Sequence, residues 1–533
     1  MGYKSLVPVL LLCVVPAVAQ RPSAAERERA RSEANPPTEA SSADEKFPAP
    51  PAEEKSSKTQ HTIRVNGQEL HYTAIAGTLL LNKDDGKPKA SMFYISYTLD
   101  GADATKRPVT FTFNGGPGSS SVWLHMGALG PRRIPLSSEG QPVPPPYHII
   151  DNQQTGLVFT DLVFIDPVTT GFSRNAPGVD PKQFHGLQGD LDSVSEFIRL
   201  YLTKYARWDS PKFLAGESYG TTRAAGLSEY LIRQHGIYLN GITLISSVLN
   251  FETLSFNPGN DFPYIFFLPT YTAAAWYHKK LPPDLQNGDL QHAVEEARKF
   301  AGGTYAYALM TGDRLPDSER TQVIQQLTKF TGLSPEYIDH ANLRISQARF
   351  TKELLRNEKE TIGRYDSRLV GVDVDAAGER PEYDPSYAAV QGAYTAAFNE
   401  YVRKELNWQT DLSYEILTSK VWPWNYSEFT NSYVNVAERL RYAMSQNQFM
   451  HVLQVNGYYD LATPFYATEY TFNHLGLAPA LRSNISMSYC DAGHMLYLKQ
   501  SCLEALHKSM SNMYQSTLGA IHPSSAGHAM DAP

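Results

Sequence analysis

Three residue types that together perform acyl transfer stand far apart in this chain: Ser218, Asp460 and His494. A serine hydroxyl is a weak nucleophile until a base takes its proton. An imidazole base in turn needs a carboxylate to hold its tautomer and stabilise its charged form. Ser218 lies within Gly216-Glu217-Ser218-Tyr219-Gly220. The apolar run Lys212-Phe213-Leu214-Ala215 before it reads as a buried strand, and Thr221 to Ile232 after it reads as a helix. A serine on so sharp a turn is strained, with its hydroxyl raised at the carboxyl end of the sheet and a helix N-terminus aimed at the reaction centre. The same pentapeptide also arises by chance in structural turns, so the other two residues matter. Asp460 follows the apolar run Val452 to Gly457, and His494 follows Ile485 to Tyr489. Each is ordinary alone, since the chain has 15 histidines. Both fall just past strand carboxyl ends, in the order Ser, Asp, His.

The elements that must position these residues alternate. Residues 61–81 read as a hairpin turning at Asn66-Gly67, where a type I′ turn is favoured. Strands follow at 91–99 and 108–113, the second running into Asn114-Gly115-Gly116-Pro117-Gly118. Glycines there bare backbone N–H groups, as an oxyanion hole needs, although a plain tight turn has the same composition. A strand at 162–166, a helix over 190–205 and a strand at 241–246 complete the first half. This alternation predicts a mostly parallel sheet flanked by helices. With the strand–serine–helix turn and the order of the three residues, it predicts the α/β-hydrolase fold.

Between 251 and 450 strand signals fade and helices dominate, which reads as an inserted helical cap. Helices are predicted over 292–300, from Ser334-Pro335 past Leu343, and from Asp384-Pro385. The last places Tyr387, Val390, Tyr394, Phe398 and Tyr401 on one face, read as core rather than a ligand cage. Asp373 and Asp375 read as a solvated loop, because no metal-ligand spacing accompanies them. The sheet pattern returns over 451–522 and ends in a helix over 501–518.

Residues 1–19 read as a signal peptide: Lys4, an apolar core from Leu6 to Val15, and a cleavage site at Ala17-Val18-Ala19. Cys13 invites a lipoprotein reading, which the bulky Leu12 before it disfavours. Residues 20–60 read as a disordered linker, 61–250 and 451–522 as the two parts of the sheet domain, and 523–533 as a disordered tail. A periplasmic or secreted protein is expected. A net charge of −8 and a pI near 6.0 exclude the basic footprint of nucleic-acid binding, and no segment suits stable membrane insertion. Cys490 and Cys502 remain after processing; a disulfide and two buried thiols are both open readings. No metal and no organic cofactor are expected, and the oligomeric state is not encoded legibly.

Four blocks make the chain resemble the serine carboxypeptidases, as an exported bacterial member: Asn114 to Gly118, Asp166-Pro167-Val168-Thr169-Thr170-Gly171-Phe172-Ser173, Gly216 to Gly220, and Gly493-His494-Met495. The resemblance implies that Ser218 attacks the last peptide bond, that His494 is the base and then the acid, and that Asp460 orients it. It implies an oxyanion hole from the backbone N–H groups of Gly116 and Tyr219. It implies that Asn114 and Glu217 bind the free C-terminal carboxylate of a peptide substrate, with Glu217 protonated or sharing a proton, and that Met495 lines a side-chain pocket. The chain departs from relatives at Thr112 (often tryptophan), Ser119 (often cysteine), Ala128 (usually glutamate) and Tyr458 (usually aspartate). Ala128 weakens the expected carboxylate network. An esterase or acyltransferase on the same fold, and a non-catalytic binding protein, remain as alternatives.

Overall fold

A computed structural model of the chain describes residues 52–521. The signal peptide, most of the 20–60 linker and the 523–533 tail lie outside the described residues. The central sheet contains β1 (Ser56–Val65), β2 (Gln68–Asn82), β3 (Pro88–Leu99), β4 (Val109–Phe113), β5 (Asp161–Ile165), β6 (Lys212–Ser218), β7 (Gly241–Ser247), β8 (His451–Gly457) and β9 (Ile485–Cys490). Their order is β1-β2-β3-β5-β4-β6-β7-β8-β9. From β5 to β9 the pairing is parallel, and β1 to β3 add antiparallel strands at one side. The hairpin turns at Asn66 and Gly67, both with positive φ, as a type I′ turn requires. Its first strand begins at Ser56, so the last residues of the expected linker are ordered by pairing with β2.

The helices used below are α1 (Leu187–Lys204), α2 (Tyr219–His235), α3 (Phe262–Tyr277), α4 (Leu290–Phe300), α5 (Asp317–Thr331), α6 (Pro335–His340), α7 (Pro385–Lys404), α8 (Ala437–Gln446) and α9 (Gln500–Ile521). Strands β4, β5 and β7 are buried along their whole lengths, because helices cover both faces of the sheet. On one face Phe111, Val163, Leu214 and Ile242 meet Leu191 and Phe197 of α1, Leu227 of α2 and Leu440 of α8. On the other, Phe164, Phe213, Ile245 and Val455 meet Phe398 of α7 and Leu506 and Tyr514 of α9.

The segment expected to be one cap, 251–450, therefore divides. Helices α3 to α6 build a core of their own around Phe267, Tyr271, Leu327 and Phe350. Helices α7 and α8 instead complete the two sheet faces. Their apolar stripes look alike in sequence, and only the long-range partner distinguishes them. Two further expectations are corrected. Helix α6 ends at His340 rather than passing Leu343, since Asn342 and Leu343 take left-handed backbone conformations. Asp373 is not solvated: its Oδ1 lies 2.6 Å from Lys352 Nζ, and both side chains are fully buried.

Candidate active site

The site forms along the carboxyl ends of β4, β6, β8 and β9. Ser218 ends β6 and caps α2, with φ 61° and ψ −131°. A non-glycine residue there is strained by about 1–3 kcal/mol and persists only where its surroundings impose it. The imposing contact is close: a Cβ on Gly216 would strike the Gly220 carbonyl across the turn.

Asp460 lies after β8 and is fully buried. Its Oδ1 accepts the N–H groups of Ala462 at 2.8 Å and Thr463 at 2.9 Å, and its Oδ2 accepts the Thr463 hydroxyl at 2.7 Å. The same Oδ2 lies 2.8 Å from His494 Nδ1, which must donate because an ionised carboxylate only accepts. That leaves Nε2 free as the basic nitrogen. Burial lowers the His494 pKa, but the charge and hydrogen bond of Asp460, with Glu217, outweigh it, and the net shift is upward. Arg364 works against them.

One pocket is lined by Asn114, Gly116, Glu217, Ser218, His494 and Met495, which are six of the eight residues singled out in the sequence. Asp460 is buried behind His494, as an orienting group must be. Tyr219 turns its ring away, with its hydroxyl accepting from Trp424 Nε1 at 3.2 Å, so only its main chain serves the elbow. Among the described residues no group accepts the Gly116 N–H.

Asn114 is oriented by its neighbours. Its Oδ1 accepts the Leu124 N–H at 3.0 Å, which leaves Nδ2 to donate to Glu217 Oε1 at 3.1 Å. Glu217 Oε2 is buried without a partner. Burial pushes the Glu217 carboxyl up to about 7, against the pull of His494, Tyr497 and Asn114. Tyr497 stands close to it without a hydrogen bond of ordinary geometry. Beside Ala128, Gly127 leaves room for Tyr497 and Tyr394. A side chain there would strike the Tyr394 hydroxyl and the Tyr497 ring.

The remaining wall comes from Gly115, Ser119, Trp123, Tyr365, Tyr387 and Leu417. Tyr387 therefore faces the pocket, while Tyr394 and Phe398 on the same helix are core. The helical pattern marked that face as apolar; nothing local showed that its first turn reaches the site. Tyr365, whose ring centroid lies 5.2 Å from that of His494, carries no sequence signal. Thr463 carried a weak one, an Asp-x-x-Thr spacing that suits a local turn. Cys490 and Cys502 form a disulfide. It ties the end of β9 to the start of α9 on either side of His494.

The sheet order, the elbow and the buried acid–imidazole pair define an α/β-hydrolase. The model of the serine carboxypeptidases (Peptidase S10) matches residues 68–503, and the chain belongs to that family. Two Arabidopsis thaliana proteins are similar over part of their lengths. Serine carboxypeptidase-like 34 is 28% identical over 34% of this chain and 36% of its own. Serine carboxypeptidase-like 36 is 27% identical over 37% of this chain and 38% of its own. The matched stretches thus span little more than a third of these relatives. A solved esterase from Thermogutta terrifontis aligns over 86% of this chain and 99% of its own, at 11% identity and a TM-score of 0.30.

Proposed function

We propose that this protein is a serine carboxypeptidase that releases C-terminal amino acids from peptides. Ser218 attacks the carbonyl of the last peptide bond while His494 Nε2 takes its proton. The Gly116 and Tyr219 N–H groups stabilise the oxyanion, a contribution of about 3–4 kcal/mol for one such donor. His494 then protonates the leaving amine, and the acyl-enzyme on Ser218 is hydrolysed by water with the same base. Asp460 holds the imidazole throughout. Asn114 and a protonated Glu217 receive the substrate carboxylate, and Met495 contributes to the side-chain pocket.

The observation that carries this reading is the Asn114–Glu217 pair beside Ser218. A carboxyl whose pKa is about 7 and whose second oxygen lacks a partner can donate to a substrate carboxylate, which an ionised one would repel. The aromatic wall of Trp123, Tyr365 and Tyr387 favours large apolar side chains. Export to the periplasm or medium accords with the signal-like N-terminus and with the Cys490–Cys502 bridge. Among the described residues no helix is long and apolar enough to cross a membrane.

The deciding experiment compares an N-blocked dipeptide with its C-terminal amide at pH 5 and pH 7.5. A strong preference for the free acid is expected. Equal turnover of both, or turnover of simple esters alone, would favour an esterase or acyltransferase. Ala128, which leaves Glu217 without a second carboxyl, is the feature that favours that second reading.

A further inference from the structure

A short stretch of the insertion, Arg364-Tyr365-Asp366-Ser367-Arg368, lends the pocket its Tyr365 wall, and it also runs between the loops that carry Asp460 and His494. Toward the first loop, the Ser367 N–H and hydroxyl both donate to the Tyr459 carbonyl at 3.0 Å, and the Leu461 N–H donates to the Arg364 carbonyl at 3.0 Å. Toward the second, the His494 N–H donates to the Tyr365 carbonyl at 2.6 Å, and the Gly493 N–H donates to Asp366 Oδ2 at 3.2 Å. Arg368 clasps the same carboxylate: Nη2 donates to Oδ2 at 2.6 Å and Nε to Oδ1 at 3.0 Å. The Arg368 guanidinium also lies 5.6 Å from the centroid of the Tyr459 ring. The Arg368 side chain is 4% exposed and that of Asp366 14%.

One ion pair thus touches the residue immediately before Asp460 and the residue immediately before His494. Buried pairs are a weak source of stability, because desolvation offsets much of their attraction. Their planar, bidentate geometry is instead well suited to fixing the groups around them. The two loops leave different strands, and the sheet ladder ends before their tips. Direct bonds carry the two loops a little further, the Tyr458 N–H donating to the Cys490 carbonyl at 2.9 Å and the Tyr459 N–H to the Ala492 carbonyl at 3.0 Å, while the Ser246 hydroxyl holds the His494 carbonyl at 2.6 Å. The insertion adds the bonds at the tips, to Tyr459, Leu461, Gly493 and His494.

We propose that Asp366 and Arg368 form a positioning pair, by which the insertion sets the register of Asp460 against His494. The inference rests on the triad reading above. It gives the insertion a task besides covering the pocket.

The test uses the full-length protein. Wild type is labelled with a fluorophosphonate and assayed on the free-acid dipeptide, followed by Asp366→Asn, Asp366→Ala, Arg368→Met and Arg368→Lys. Misplacement of this kind should lower kcat and the labelling rate about 10- to 100-fold with KM changed by less than about 2-fold. Arg368→Lys should recover part of the loss. Folded Asp366→Ala and Arg368→Met variants with wild-type kcat, or a loss confined to KM, would overturn the inference. If Asp366→Ala does not fold, Ser367→Ala, which removes only the hydroxyl contact to Tyr459, should lower kcat in the same direction. An unchanged kcat there would reduce the stretch to a structural brace. A wild type that fails to label overturns the triad reading and this inference with it; normal kcat in the variants of a labelling wild type overturns this inference alone.

Discussion

Asn114 Nδ2 donates to Glu217 Oε1 at 3.1 Å inside the protein, and the second oxygen of that carboxyl has no partner. The pair is held on both sides, by the Leu124 N–H on Asn114 Oδ1 and by Arg223, whose Nη1 donates to the Asn114 carbonyl at 2.6 Å. The site's response to pH follows from it. With a pKa of about 7, Glu217 is neutral below neutrality and ionised above it. The KM for a free-acid substrate should be flat below pH 7 and rise by up to about tenfold per pH unit well above it. In Glu217→Gln, which cannot ionise, KM should not vary between pH 5 and pH 8. Steady-state kinetics on the blocked dipeptide measure both, and a Gln variant with the wild-type KM profile would remove Glu217 from the carboxylate site.

Stability should also fall with rising pH. Burial raises Glu217 from 4.5 and Asp166 from 3.8, each to about 7. A raised carboxyl binds its proton more tightly in the folded chain. Its contribution to stability is therefore complete below the unfolded pKa, near pH 4, and is lost as pH rises through about 7. His494, also shifted upward, acts in the same direction above its ordinary 6.5. Thermal melts should show Tm falling from pH 4.5 to 7.5, and Asp166→Asn should flatten that fall. An unaltered slope in the Asn variant would mean that Asp166 is ionised throughout.

The strain at Ser218 separates stability from activity. Ser218→Gly should abolish fluorophosphonate labelling while raising stability by about 1 kcal/mol, because glycine adopts φ 61° without a Cβ clash. Ser218→Ala should lose labelling equally but keep the strain. Melting curves of the two variants give the comparison.

Asp190 supports the elbow from beneath. Arg223 Nε lies 3.0 and 2.8 Å from its two oxygens, and both side chains are about 1% exposed. Asp190→Ala leaves a buried guanidinium uncompensated and should cost about 3–5 kcal/mol in denaturant unfolding. Since Arg223 also holds Asn114, KM should rise in whatever fraction folds. A loss under about 1 kcal/mol would show that the arginine finds another partner.

The Cys490–Cys502 bridge closes a short loop around His494, with a sequence separation of 12. Loop-closure entropy gives such a link about 3 kcal/mol. Reduction, or a Cys490→Ala/Cys502→Ala double variant, should lower Tm by that equivalent and speed proteolysis within 490–502. A Tm indifferent to reductant would show that the loop is held by its hydrogen bonds alone.

Much of the fold is written locally. Lys212 to Ala215, the small residues around Ser218 and the helix formers after it specify strand, turn and helix within a few turns of chain. Asn66-Gly67 likewise sets its own hairpin, and Asp384-Pro385 starts α7. The errors arose where the deciding contact is remote. Ser56 to Gln60 lacks large apolar residues, yet β2 supplies the ladder that orders it. Asp373 looked solvated until Lys352, 21 residues away, closed over it. Tyr387 sits one turn before Val390 on the same stripe, and its exposure to the pocket depends on where α7 docks.

By itself the sequence picked out the three proposed reacting groups in their order, Ser218, Asp460 and His494, and determined the alternation that makes a parallel sheet. These depend on spacing, period and turn chemistry, which act over a few residues. Only the tertiary structure decided that the insertion splits between a core of its own and the faces of the sheet. It also decided that Glu217 is buried with one oxygen unmatched, and that residues 364–368 join the loops that carry Asp460 and His494. Desolvation and hydrogen bonding across such distances depend on which segments the folded chain brings into contact, and no local pattern records that.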